Sequence, residues 1–386
     1  MRSITYIAPF AVLTAAALTA ACASSAPTSG TGTQPAPPKD NGATTTRPTD
    51  PAVEDLLPGL ATDWKAKAAG YLDGRSNTWL ATPPNVGNVK CAMSCHTTFP
   101  HVVARSALGQ SVAVPKLRTA FESRVTQSIA GTATPFYGAN GDTKARESFA
   151  TEAVLNAVAL GMDDVGSKAP IGAGTKSALD RMWSQQRADG AWDWLEYGLE
   201  PFETRTDWGT ALAGIVAGSV PENTSAAQAA GTAKLVSYLQ KRMTDTAKPL
   251  VLHDKVTILW ASGPLPSLLT PEQKESIATA LDAKQLADGG FSLGSWGKGS
   301  QAAAGAGVSD GYATALAALA LCRGMPEPTK RDDVKKALKW LASGQQADGS
   351  WPGRSVNNIP AHAKPFMTDA ATAYTALAIA ACVPEK

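Results

Sequence analysis

The run Lys90-Cys91-Ala92-Met93-Ser94-Cys95-His96-Thr97-Thr98 places two thiols in one short segment, with an imidazole directly after the second. It reads C-x-x-x-C-H. The spacing C-x-x-C-H, one residue shorter, is the one at which two thiols add to the vinyl groups of a haem and the adjoining histidine ligates the iron. The expectation is therefore a c-type haem held by Cys91 and Cys95 with His96 as axial ligand. Three other readings stay open for the same residues. They are a local Cys91–Cys95 disulfide in an oxidising compartment, a zinc site adding His96 and perhaps His101 to the two thiols, and unmodified thiols. A thiol at the start of a helix has a lowered pKa and is reactive, which suits attachment if the motif opens a helix.

A haem also invites a sixth ligand. The chain has four histidines, His96, His101, His253 and His362. His101 lies on the same helical stretch as His96 and does not reach the opposite face. Met367 and His362 precede the last apolar helix, and ring closure would set them beside the motif, so these two are the distal candidates. His253 opens an inner helix and reads equally well as a residue lining the mouth.

A second group of chemical interest lies in Trp192-Asp193-Trp194-Leu195-Glu196-Tyr197-Gly198-Leu199-Glu200-Pro201-Phe202-Glu203. A carboxylate beside apolar rings has a raised pKa, and a raised pKa suits acid/base work. Glu200 and Glu203 are the candidates. The bland alternative is an aromatic lid with glutamates capping the next helix. Glu152 and Asn156 lie one turn apart on an apolar helix and share a face. Pairing with Arg146 or Arg105 is the simpler role for Glu152.

These residues must be positioned by a repeated frame. Gln186-Arg187-Ala188-Asp189-Gly190-Ala191-Trp192, Gln285-Leu286-Ala287-Asp288-Gly289-Gly290-Phe291 and Gln345-Gln346-Ala347-Asp348-Gly349-Ser350-Trp351 share the pattern Q-x-x-D-G-x-aromatic. Each follows an amphipathic helical stretch, which Asp-Gly is suited to end. Each precedes a more apolar helix that begins with Asp and small residues, at Asp207, Asp310 and Asp369. Recurrence at one repeat position predicts that these aspartates are helix caps. Degenerate copies extend the pattern to six helix pairs. The outer helices are predicted near 60–80, 115–130, 176–187, 226–243, 272–285 and 331–345, and the inner ones near 96–109, 147–161, 207–219, 252–262, 309–323 and 368–382. Six pairs close a ring, so no end repeat is exposed. The prediction is an all-α, single (α/α)6 toroid over residues 53–386.

The Q-x-x-D-G-x-W pattern resembles the QW motif of squalene–hopene cyclases, whose toroid is shared with protein prenyltransferases. The C-x-x-x-C-H run before Thr97 is similar to that of bacterial toroids bearing a cytochrome c-like motif. The resemblance implies that Gln186, Trp192, Gln285, Gln345 and Trp351 tie repeats together, and that the ligand is an isoprenoid-like or polycyclic hydrophobic molecule. It does not bring the chemistry of those enzymes with it. The Asp-x-Asp-Asp acid motif is missing, since Asp163-Asp164 and Asp332-Asp333 are bare pairs expected to be solvated. Asp310-Gly311-Tyr312 has Tyr where a prenyltransferase zinc site would need Cys. Two functional expectations follow: redox chemistry by a haem toroid with an electron-transfer partner, or non-redox cyclase-like chemistry with Glu200 or Glu203 as acid. A third is a lipid-anchored binding or scaffold protein. A filled lumen favours the scaffold, and a closed, aromatic one favours a lipid ligand.

Composition sets the outer bounds. The formal net charge of +2 gives no electrostatic footprint for nucleic acid. Arg2, the apolar run Ile7–Leu18 and small residues up to Cys22 read as a signal peptide, over residues 1–22. Leu18-Thr19-Ala20-Ala21-Cys22 approximates a lipobox, so Cys22 is the predicted lipidation site, and Ala23 favours an outer-membrane destination. Export to the periplasm suits haem attachment. Residues 23–52, rich in Ser, Thr, Pro and Gly, bury too little apolar surface to fold and read as a tether. Cys322 and Cys382 occupy equivalent places near the ends of two inner helices. A helix spacing of roughly 8–10 Å would keep them apart as free thiols.

Overall fold

The computed structural model describes residues 51–81, 93–109, 115–139, 141–221, 224–297, 307–357 and 366–384. Cys22, Cys91 and His362 lie outside these. A short α1 (Pro51–Leu56) precedes six helix pairs. The outer members are α2 (Trp64–Ala81), α4 (Pro115–Ile129), α6 (Ala173–Ser184), α8 (Gln228–Thr244), α10 (Pro271–Asp282) and α12 (Asp332–Ser343). The inner members are α3 (Thr98–Ala104), α5 (Thr143–Gly166), α7 (Thr206–Ser219), α9 (Leu252–Ala261), α11 (Gly311–Gly324) and α13 (Phe366–Cys382). Each inner helix packs on the next, and α13 packs on α3, so the ring closes as expected for a single α/α toroid.

Composition explains which helix goes where. In α12 the buried residues Val334, Ala337, Leu338 and Leu341 recur at helical spacing on one stripe. In α7 and α11 every residue from Asp207 to Ala217 and from Gly311 to Leu321 is buried. Such helices have no polar face to spare and must be inside.

The repeated motif acts between neighbours. Gln186 Nε2 donates to Gly190 O of its own turn and to Gly231 O of the next outer helix, both at 2.9 Å. Gln285 does the same to Gly289 O at 2.9 Å and Asp333 O at 2.8 Å. Gln345 bonds Gly349 O at 3.1 Å and Trp64 O at 3.0 Å, which joins the last outer helix to the first. The glycines are dictated by geometry. At Gly349, φ is +91° and an added Cβ would lie 2.3 Å from Lys67 O. Asp189, Asp288 and Asp348 each accept from the backbone N–H two residues on, the Asx turn that sets this corner. The outer helices end two or three residues before each Gln, slightly earlier than predicted, which frees the amide to reach the neighbour.

Four expectations need correction. Of the three aspartates, only Asp310 is a cap, accepting from Ala313 N at 2.9 Å. Asp207 and Asp369 lie inside their helices and bind outward to a Tyr and an Arg one turn apart on the following outer helix. Asp207 takes Tyr238 Oη at 2.8 Å and Arg242 Nε at 2.9 Å. Asp369 takes Tyr71 Oη at 2.8 Å and Arg75 Nε at 2.9 Å. Second, Asp163 and Asp164 are buried, because α5 runs on past Gly161. Both accept from Arg118 Nη1 at 2.7 Å, and Arg105 Nη1 lies 3.5 Å from Asp163. Asp333 is buried too, accepting from Arg331 Nη2 at 3.1 Å. Third, Glu152 pairs with Arg124 of the outer helix (Nη2 to Oε2, 2.8 Å), not with Arg146 or Arg105.

Fourth, Cys322 and Cys382 form a disulfide, with Cα atoms 5.2 Å apart. The generic helix spacing fails here because α11 and α13 are built largely from Ala (Ala317, Ala320, Ala378, Ala381) and approach closely. The bridge spans 60 residues and holds the last two repeats together. The Cys322→Ser/Cys382→Ser double variant is expected to lose about 3 kcal/mol in denaturant unfolding. The wild type should show a comparable loss when unfolded in the presence of a reductant.

Candidate functional site

The inner helices run parallel, so their N-terminal ends gather at one mouth and their C-terminal ends at the other. The sequence-predicted residues Cys95, His96, Glu200, Glu203 and Met367 all come to the N-terminal mouth.

The loop 192–205 reaches this place because several ties hold it. Leu195 N donates to Thr151 Oγ1 at 2.9 Å, and Trp194 Nε1 to Phe202 O at 2.8 Å. Glu203 N donates to Leu199 O, and Tyr197 N to Glu203 O, each at 2.9 Å. Asn357 brackets the backbone of Glu200, accepting from its N at 3.1 Å and donating to its O at 2.6 Å. The Glu200 carboxylate is itself an anchor. Arg205 grips both of its oxygens, at 2.8 and 2.7 Å, while Arg205 Nε holds Asp254 at 2.8 Å. A carboxylate in a bidentate pair with arginine has both oxygens engaged.

Glu203 is in the opposite condition. It is 9% exposed, and its Oε2 makes no hydrogen bond among the described residues. Burial pushes its carboxyl up to about 7, with Lys144 pulling weakly the other way. The Glu203 charge bears on Cys95 and on Tyr137, and raises both. Tyr137 packs on Tyr197 at 4.8 Å between ring centroids. Tyr197 is 42% exposed, so it forms the outer rim. Neither Tyr137 nor Arg205 was singled out from the sequence. Arg205 had a signal, lying five residues after Glu200 beside a helix start, whereas Tyr137 is brought in from a distant turn.

Cys95 precedes α3 by three residues rather than opening it. The helix N-terminus therefore does not lower its pKa as expected. Burial, with the Glu203 charge second, raises the thiol well above its ordinary range and keeps it protonated. His96 stands edge-on to Phe202 at 4.7 Å, with the Phe366 ring at 5.7 Å. Met367 follows Phe366 in the first turn of α13 and is buried. His101 is withdrawn from the motif. Its Nδ1 lies 2.8 Å from Ser76 Oγ and its Nε2 3.5 Å from Asp73. Among the described residues no three His, Cys, Asp or Glu side chains converge as a metal ion would need.

Beneath the mouth aromatic rings pack on one another. Phe202 packs on Trp208 at 4.9 Å and on Tyr312 at 5.4 Å, and Tyr312 on Tyr374 at 5.0 Å, which meets Trp260 at 6.1 Å. His253 lies in this stack, with Nε2 2.9 Å from Tyr312 Oη. Anything that meets Glu203 must therefore come from the rim.

No protein-family signature and no curated protein matches this sequence. Solved structures do match in shape. The GH76A alpha-1,6-mannanase from Salegentibacter sp. HEL1_6 aligns over 82% of this chain and 99% of its own, at 13% identity and a TM-score of 0.50. A wild-type glycosidase aligns over 84% and 99%, at 12% identity and 0.48. The type II terpene cyclase MstE from Scytonema aligns over 82% and 99%, at 14% identity and 0.41. Likeness at this level of identity speaks to the all-α toroid fold alone.

Proposed function

We propose that this toroid is an enzyme of the general acid/base type, with Glu203 at the N-terminal mouth as its proton carrier. The supporting observation is the Glu203 carboxyl, buried among Cys95, Tyr137 and Phe202, with one oxygen that makes no hydrogen bond among the described residues and a pKa raised to about 7. An unpaired buried carboxyl costs stability, and such a cost is found chiefly where chemistry uses the group. The raised pKa also bears on the reaction class. A carboxyl titrating near neutrality is too weak an acid to protonate an unactivated alkene efficiently. It suits proton transfer to and from a carbonyl, ether or ester oxygen or an activated carbon at pH 7. The aromatic rim fits an apolar, isoprenoid-like substrate that carries one such polar group.

The test is turnover of farnesal, farnesyl acetate and a squalene epoxide by the purified chain, followed by mass spectrometry. Glu203→Gln should lower the rate by about 10²–10⁴-fold. Turnover that survives this substitution, or none across the panel, counts against the reading.

A second reading is favoured by the adjacency of Cys95 and His96 at the same mouth. Cys91 and Cys95 would attach a haem c, His96 would ligate its iron, and Met367 or His362 would be the distal ligand. The phenyl rings of Phe202 and Phe366 are apolar walls of the kind a porphyrin packs against. The protonated state of Cys95 runs against attachment in this conformation. A bound haem would supply one-electron chemistry and require an electron-transfer partner. Export with lipidation at Cys22, in the periplasm or at the outer membrane, belongs with this reading. Protein from a host with cytochrome c maturation should then show a pyridine haemochrome that survives acid–acetone extraction. Its absence leaves Glu203 without a redox neighbour.

A further inference from the structure

The C-terminal mouth of the toroid differs from the N-terminal one. Here the inner helices end around a cavity of about 800 Å³. Its wall is partly apolar, with Leu57 and Trp64 from the entering chain, Met162 and Val165 from α5, and Leu319 and Leu377 from α11 and α13. Small residues, Ala107, Gly166, Gly263 and Ala380, also line it. The volume is within the range of about 300–1,000 Å³ typical of small-molecule sites.

One polar group stands out on this wall. Arg323, in the last turn of α11, lines the cavity at its exposed rim, and its side chain makes no ion pair or hydrogen bond among the described residues. Arginine does not give up its charge in a protein, and partial desolvation lowers its pKa without a compensating carboxylate. The other cations at the rim are Lys65, which lies over the Trp64 ring, and Lys168, against the single acid Glu54. The carbonyl ends of the inner helices place negative potential in the same region. That potential favours the Arg323 cation and disfavours anions, multiply charged ones most. One guanidinium at the edge of a partly apolar cavity is matched by one negative charge on a long apolar tail.

We infer that the C-terminal cavity binds a single-chain amphiphile with a monoanionic head, a long-chain carboxylate, with the tail inside and the carboxylate on Arg323. This site is separate from Glu203 and lies at the other end of the inner helices, about 20 Å away for a helix of the length of α7.

The test is a titration of the full chain with palmitate by calorimetry, with hexadecanol as the uncharged counterpart. Palmitate should bind at one site per chain, and hexadecanol at least about ten-fold more weakly. Arg323→Gln should weaken palmitate about ten-fold or more and leave hexadecanol unchanged. Ala380→Phe, which fills the cavity, should abolish both. The removed charge strands no ion-pair partner among the described residues, so Arg323→Gln should melt close to the wild-type temperature, which separates lost binding from lost fold. Palmitate binding that is unchanged by Arg323→Gln, equal binding of hexadecanol, or no palmitate binding at all would overturn the inference.

Discussion

Asp369→Ala is expected to destabilise the toroid by about 3 kcal/mol or more, because it opens the ring where its two ends meet. The Asp369 side chain is fully buried and takes Tyr71 and Arg75 of the first outer helix and Thr97 Oγ1, at 2.6 Å, ahead of the first inner helix. Burial raises its carboxyl pKa in spite of these partners, so desolvation outweighs attraction in the pair. A buried ion pair of this kind adds little net stability, but removing one member leaves the rest unpaired, at a cost of roughly 3–5 kcal/mol. Arg75 is partly exposed and can turn to water, which places the expectation at the low end. The check is urea unfolding of Asp369→Ala beside Asp207→Ala. Asp207 makes the same Tyr and Arg contacts within the ring and is more exposed. An equal or larger loss at Asp207 would show that closure carries no special weight.

Glu203→Gln should do the opposite to stability while removing function. The folded carboxyl titrates near 7, against an unfolded value of about 4.3. Between these values the folded state binds more protons than the unfolded one, so stability falls as pH rises through this window. Below about pH 4 the penalty is absent, and above about pH 7 it is complete, at roughly 3 kcal/mol. The neutral amide escapes it. Glu203→Gln should therefore raise the thermal midpoint at pH 8 by about 4 °C for a chain of this size and leave it nearly unchanged at pH 4. A residue kept at such a cost and a rate lost on its replacement would together mark a functional group rather than a packing one.

The frame was legible because repetition makes a signal that single residues do not. Three copies of Q-x-x-D-G-x-aromatic, each between an amphipathic and an apolar helix, are enough to place six pairs to within a few residues at most ends. What failed were inferences that treated a residue by its local type. Asp207 and Asp369 look like caps, and two of the three recurring aspartates are cross-links, because the Tyr and Arg that bind them lie far away in sequence. Cys322 and Cys382 were separated by a generic helix distance that does not hold between alanine-rich faces. Glu200 and Glu203 are three residues apart and indistinguishable by composition. Arg205 binds the first, and nothing described binds the second. The Arg323 cavity left no trace beyond a lone cation ending an Ala/Leu helix, since a void is produced by the side chains that are small.

The central claim is that Glu203 is a proton carrier poised at neutral pH. It is tested most directly by following the side-chain carboxyl of ¹³C-Glu-labelled protein by NMR from pH 4 to 9, with Glu203→Gln identifying the resonance. The account predicts a single titration with a midpoint near 7. A midpoint near the ordinary glutamate value of about 4.3 would mean that the carboxylate is solvated or paired, and would remove Glu203 from the chemistry.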